Sequence, residues 1–158
     1  MLKIYKESGG RYFIEYFRRK YTFQILECNK KYGELEQELN YRKIKSEHPI
    51  ALVPASLIKT FLQYIYAVLS YITYSTEFKV KNQGLLITML ITGVDQISSI
   101  IPVLRREYEK SVSYYLLIIG DEKYEINCSE CKPYDYEDNI LSKVEIIVKN
   151  MDKLIKRI

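Results

Sequence analysis

The order of β-prone and helix-prone segments predicts an α+β chain, a mainly antiparallel sheet packed against several helices in a single domain. Three observations carry that expectation. Short alternating runs open the chain and a β-rich run recurs at Ser113–Ile119, while apolar stripes at helical spacing fill the middle and close the C-terminus. At 158 residues, 47% hydrophobic and 28% charged, the chain can bury one core without a metal or disulfides.

Leu2–Glu7 and Arg11–Phe17 flank the turn signal Ser8, Gly9, Gly10 and are expected to form a hairpin. After Arg18, Arg19 and Lys20, the run Tyr21–Cys28 alternates Phe23 and Ile25 with Thr22 and Gln24, as in a third strand. Residues 29–50 are polar, with a short helix expected at Glu34–Asn40. Leu57, Ile58, Phe61, Leu62, Ile65, Val68, Leu69 and Ile72 recur at helical spacing and predict an amphipathic helix from about Pro54 to Tyr74, with Pro54 in its first turn.

The periodicity of the apolar run Leu85–Ile91 fits helix or strand, with helix the favoured reading. Asp95 is the expected N-cap of a helix that starts near Gln96 and buries Ile97, Ile100, Ile101 and Leu104, with a kink or break at Pro102. Ser113–Ile119 is expected as a central strand, with Lys123–Lys132 as its hairpin partner presenting Tyr124, Ile126 and Cys128 on one face. A final helix carries Ile140, Leu141, Val144, Ile147, Val148, Met151, Leu154 and Ile155, with acidic residues at its start and basic residues at its end to suit its dipole.

The net charge is only +4, too small to argue for nucleic acid by itself, although 11 basic against 7 acidic side chains fall in residues 1–50. Sixteen tyrosines supply amphipathic rings suited to core edges, interfaces or base stacking. The N-terminus has no secretory apolar region, so the cytoplasm is the expected location. Cys128 and Cys131 form a CxxC, and Cys28 with His48 would complete a zinc-like set. Their scattered spacing favours ordinary thiols or a disulfide over metal. A single histidine and the lack of phosphate-loop, GxSxG and HExxH motifs argue against an independent enzyme.

Thr22–Leu26, Gln63–Val68, Lys79–Ile87 and Gly93–Ile97 form an ordered series: a strand with a Phe-Gln pair, an apolar helix with Ala-Val, a basic Lys-x-Lys-Asn connection, and a turn into a helix. Over Tyr21–Ile119 this series resembles the kinase-binding subunit of the KEOPS complex, the CGI/TPRKB family. The resemblance implies a non-catalytic subunit, without cofactor, that docks on the atypical kinase/ATPase and helps recruit tRNA by its 3′ end for threonylcarbamoyladenosine modification.

On that basis Tyr64, Tyr71, Ile101 and Leu104 are the candidate partner-binding residues, each also a candidate for the core. Lys79, Lys81, Asn82, Arg105, Arg106 and Tyr74 are the candidate RNA-binding residues. Two other classes stand beside this expectation: a stand-alone nucleic-acid-binding module, and a small zinc or redox protein using Cys128 and Cys131.

Overall fold

The computed structural model describes residues 2–16 and 18–135, so the expected helix over residues 140–155 lies outside the described residues. The described elements run β1 (Leu2–Lys6), β2 (Arg11–Tyr16), β3 (Arg19–Asn29), α1 (Leu35–Arg42), β4 (Ile50–Pro54), α2 (Leu62–Tyr74), α3 (Gln83–Thr92), α4 (Ile97–Lys110), β5 (Ser113–Ile119) and β6 (Cys131–Pro133). Every strand pairing is antiparallel, in the order β1-β2-β3-β5-β4, with β6 added on β3. The α+β architecture expected from the sequence is the one observed, and β5 is interior to the sheet as expected.

Strand β3 organises the sheet because it is long enough to serve three partners. One edge pairs with β5 from Phe23 to Asn29, while the other pairs with β2 from Arg19 to Gln24 and then with β6 from Leu26 to Cys28. The handover falls at Ile25, whose N–H donates to the Gly10 carbonyl at 2.9 Å and whose carbonyl accepts from the Tyr134 N–H at 3.0 Å. Gly10 has φ +73°, and a Cβ there would meet the Ile25 carbonyl oxygen at 2.5 Å, so only glycine fits this junction.

Alternation along the strands divides the apolar side chains between two cores. Ile4, Tyr12, Ile14, Phe23, Ile25, Ala51, Val53, Leu117 and Ile119 face α2 and α3. Leu26, Cys28, Ile50, Leu52, Tyr114, Leu116 and Ile118 face the other way and pack with Leu35 of α1 and with Leu104 and Tyr108 of α4. Helix α3 closes against the outer strand β4, where a Cβ on Gly84 would lie 2.6 Å from the Ile50 carbonyl oxygen. That approach needs glycine.

Among the described residues the helices cover only half of the second face, since α1 and α4 lie over β3, β5 and β4. On the β1–β2 side Lys3, Tyr5, Arg11 and Glu15 are exposed and Phe13 is half-buried.

Four expectations need correction. Ile50–Pro54 is a strand, Ala55–Leu57 a single 3-10 turn, and α2 starts only at Leu62, so Pro54 ends β4 rather than opening a helix. Every residue of β4 is buried, Ala51 and Val53 in one core and Ile50 and Leu52 in the other, which erases the alternation that marks a strand. The Gln63 side chain holds the connection ahead of α2, accepting from the Lys59 and Thr60 N–H groups and donating to the Leu57 and Ile91 carbonyls.

The segment after β5 contributes a strand only at Cys131–Pro133, and this pairs with β3, not with β5. Both edges of β5 are already occupied by β3 and β4. The N-cap of α4 is Gln96 rather than Asp95. Helix α4 also runs unbroken through Pro102, which is solvent-exposed six residues past the cap.

Candidate functional site

A groove of about 240 Å³ opens between α1, α3 and α4 above β4. Leu35, Leu39, Ile44, Ile50, Leu52, Leu85, Ile101 and Leu104 give it an apolar lining, while Glu36, Lys45, Ser46, Asn82, Thr88 and Arg105 add polar groups. The Gln83 N–H donates to the Ser46 carbonyl at 2.8 Å and ties the start of α3 to the α1–β4 connection. The Arg105 guanidinium bridges α4 to α1 at Glu36, with Nη2 2.6 Å from Oε1. Both of those side chains are more than half exposed, so the bridge contributes at most about 1 kcal/mol.

The wall formed by α1 is anchored by a buried polar network. Glu38 and Arg42 stand one turn apart with Oε1 3.5 Å from Nε, and neither side chain is more than 1% exposed. The Tyr114 hydroxyl joins them, accepting from Arg42 Nε at 2.6 Å and donating to Glu38 Oε1 at 2.6 Å. Glu38 also accepts the backbone N–H groups of Lys31 and Tyr32. Arg42 donates to the carbonyls of Asn29, Asn127 and Ser129.

Charge and hydrogen-bond capacity are thus met inside the protein, the condition under which a buried pair is tolerated. Burial and then the Glu38 hydrogen bond push the Tyr114 hydroxyl well above its ordinary value. Tyr108 is raised too, by burial first and the Glu38 charge second. None of these roles follows from the sequence reading. The available signal was the i, i+4 spacing of Glu38 and Arg42.

Four of the residues nominated from sequence, Asn82, Ile101, Leu104 and Arg105, line the same groove. The Asn82 side chain accepts from the Leu85 N–H at 3.1 Å and so caps α3. Arg106 pairs with Glu107 at 3.5 Å. Lys79 and Lys81 are exposed in the connection between α2 and α3, and Tyr74 is exposed at the end of α2.

Among the partner-binding candidates Tyr64 and Leu104 are buried; Tyr64 belongs to the core, while Leu104 presents only a 5% exposed edge to the floor of the groove. Tyr71 is half-buried, donates to Gln83 Oε1 at 2.6 Å and has its hydroxyl pKa raised by burial. Ile101 is half-buried.

Cys28 is joined to Cys131 in a disulfide, a pairing that takes one cysteine from the CxxC and leaves Cys128 as the free thiol. Partial desolvation pushes the Cys128 thiol up in pKa. His48 Nδ1 accepts from the Lys45 N–H at 3.1 Å and its ring packs 4.8 Å from that of Tyr124. Among the described residues no three His, Cys, Asp or Glu side chains are grouped to hold a metal, and no single helix is long and apolar enough to cross a membrane. No protein-family model, curated protein or solved structure matches this chain.

Proposed function

We propose that this protein is a non-catalytic subunit that docks on the atypical kinase/ATPase of a KEOPS-type complex and helps recruit tRNA for threonylcarbamoyladenosine formation. The observation that carries the reading is the ordered resemblance over Tyr21–Ile119. It gains support from the convergence of Asn82, Ile101, Leu104 and Arg105, nominated from that resemblance, on one groove. Its apolar lining suits side chains of a protein partner. The exposed Lys79 and Lys81, with Tyr74 nearby in sequence, supply charge and a stacking ring for a single-stranded tRNA end.

Pull-down of the cognate kinase subunit at low salt tests the docking. Ile101→Asp is expected to abolish capture while far-UV circular dichroism stays unchanged. A wild-type protein that captures no kinase subunit overturns the proposal. For RNA, the fourfold change of Lys79, Lys81, Arg105 and Arg106 to Ala is compared with wild type on intact tRNA and on tRNA trimmed at its 3′ end. Equal affinities in all four combinations would remove the RNA part of the reading.

A further inference from the structure

We propose that the open face of the β1–β2–β3 meander binds single-stranded nucleic acid, with Tyr5 and Phe13 as base-stacking surfaces and Lys3, Arg11 and Lys20 as phosphate contacts. The register sets the arrangement. Tyr5 lies opposite Phe13 on the neighbouring strand, and Phe13 lies opposite Thr22. The next row on the same face is Lys3, Glu15 and Lys20. Alternation points all of these away from the core that holds Ile4, Tyr12, Ile14 and Phe23. Two rings therefore stand side by side on adjacent strands, about 5 Å apart in the pairing direction, with cations one row away.

Exposure and charge favour a polyanion with accessible π faces. Tyr5 is 43% exposed and Lys3, Arg11 and Lys20 are exposed. Lys20 Nζ lies over the Phe13 ring, 3.8 Å from its centroid, so a base stacking on Phe13 takes the place of the ammonium, which on its flexible stem turns outward to the adjoining phosphate. Arg18 and Arg19, both exposed, add charge at the β2–β3 turn. Against these cations the face carries Glu15, which the Tyr5 hydroxyl approaches at 3.5 Å. At the inner margin, beside Arg11 and Phe13, stand two further carboxylates, Asp121, which accepts the Thr22 hydroxyl at 2.6 Å, and the exposed Glu122, so the cationic side of the surface is its outer part at Lys3, Lys20, Arg18 and Arg19. Bases stacked within a duplex cannot present their faces to rings on a sheet, so the occupant is a single strand. This surface is separate from the groove and stands whether or not the protein belongs to a kinase assembly.

The test is fluorescence anisotropy of an end-labelled single strand of about ten nucleotides, titrated at several salt concentrations. Wild type is expected to bind with an affinity that falls with salt, and changing Lys3 and Lys20 to Ala should make the log–log slope shallower by about 1.4. Tyr5→Ala with Phe13→Ala should weaken binding on the order of 100-fold. The chain has no Trp, so Phe13→Trp installs a lone reporter whose emission should be quenched by the stacked base.

The fourfold Lys79, Lys81, Arg105, Arg106 variant should retain both binding and slope, which separates this site from the one proposed for tRNA. No binding by wild type at low salt overturns the inference, as does equal preference for duplex or for polyglutamate. Unchanged affinity in the folded double-Ala variant overturns it as well. Should that variant lose its fold, the Trp reporter decides, and binding without quenching refutes the inference.

Discussion

Replacing Arg42 with Met removes the cation of the buried network and keeps most of the volume of the side chain. Four hydrogen bonds disappear, to the Tyr114 hydroxyl and to the carbonyls of Asn29, Asn127 and Ser129, and Glu38 keeps its charge with no cation beside it. Breaking a buried pair in this way costs about 3–5 kcal/mol, mostly because the surviving ion is stranded. That is a large part of the roughly 5–15 kcal/mol that holds a domain together.

Glu38→Gln should cost a similar amount, since an amide cannot balance Arg42 while accepting from Lys31, Tyr32 and Tyr114. Once either ion is gone the second change removes the uncompensated charge, so the double variant should fall well short of the sum of the singles. Urea unfolding followed by circular dichroism reads this directly. With a slope of about 2 kcal/mol per molar, a 4 kcal/mol loss moves the midpoint down by about 2 M. Single variants that each lose under about 1 kcal/mol, or losses that simply add, would refute the reasoning.

Other outcomes follow from neighbouring features. Opening the Cys28–Cys131 disulfide by Cys28→Ser frees a segment with a sequence separation of 103 and should cost about 4–5 kcal/mol on chain-entropy grounds, read as the urea midpoint against wild type. A cost below about 1 kcal/mol would show that the cross-link leaves the unfolded chain unconstrained. Gly84→Ala pushes a methyl toward the Ile50 carbonyl oxygen and should cost about 1–3 kcal/mol, with the thermal midpoint as the readout.

Tyr108 and Tyr114 hold their protons more tightly in the fold than at the ordinary tyrosine value of 10. The stability they contribute is in place below that pH and is lost as pH rises beyond it, where only the unfolded chain releases the protons, at about 1.4 kcal/mol per pH unit for each tyrosine. Tyr114→Phe should flatten that alkaline decline, and an unchanged decline in equilibrium unfolding would rule the explanation out.

The elements that sequence reveals best are those whose pattern has one cause. The β1–β2 hairpin announces itself because Ser8, Gly9 and Gly10 can only turn, and β5 because its β-rich run stops at Gly120. Strand β4 hides because both of its faces are buried, so Ile50–Val53 shows no alternation, and Pro54 reads as the first turn of the following helix. Pro102 suggests a break that α4 does not make, and the β6 pairing depends on which edge of β3 is vacant, a property no local pattern records.

At the groove, Asn82, Ile101 and Arg105 were nominated, but the contribution of α1 was not. Glu38 and Arg42 look like any surface i, i+4 pair until Tyr114 and the segment around Asn127 close over them. For Tyr64, a candidate for partner surface or core, tertiary packing decides for the core.

The Cys28–Cys131 bond also sets how the molecule answers to force. It makes a covalent ring of the chain between those residues, which contains α1, β4, α2, α3, α4 and β5, and leaves the β1–β2 hairpin outside. A pull applied to the two ends of the chain passes straight across the sulfur bridge from β3 to β6. With the bridge intact the ring bears no tension, and among the described residues the load falls on β1, β2 and the parts of β3 and β6 outside the ring. In reductant the same pull reaches the enclosed segment and releases roughly 350 Å of additional contour from its separation of 103 residues.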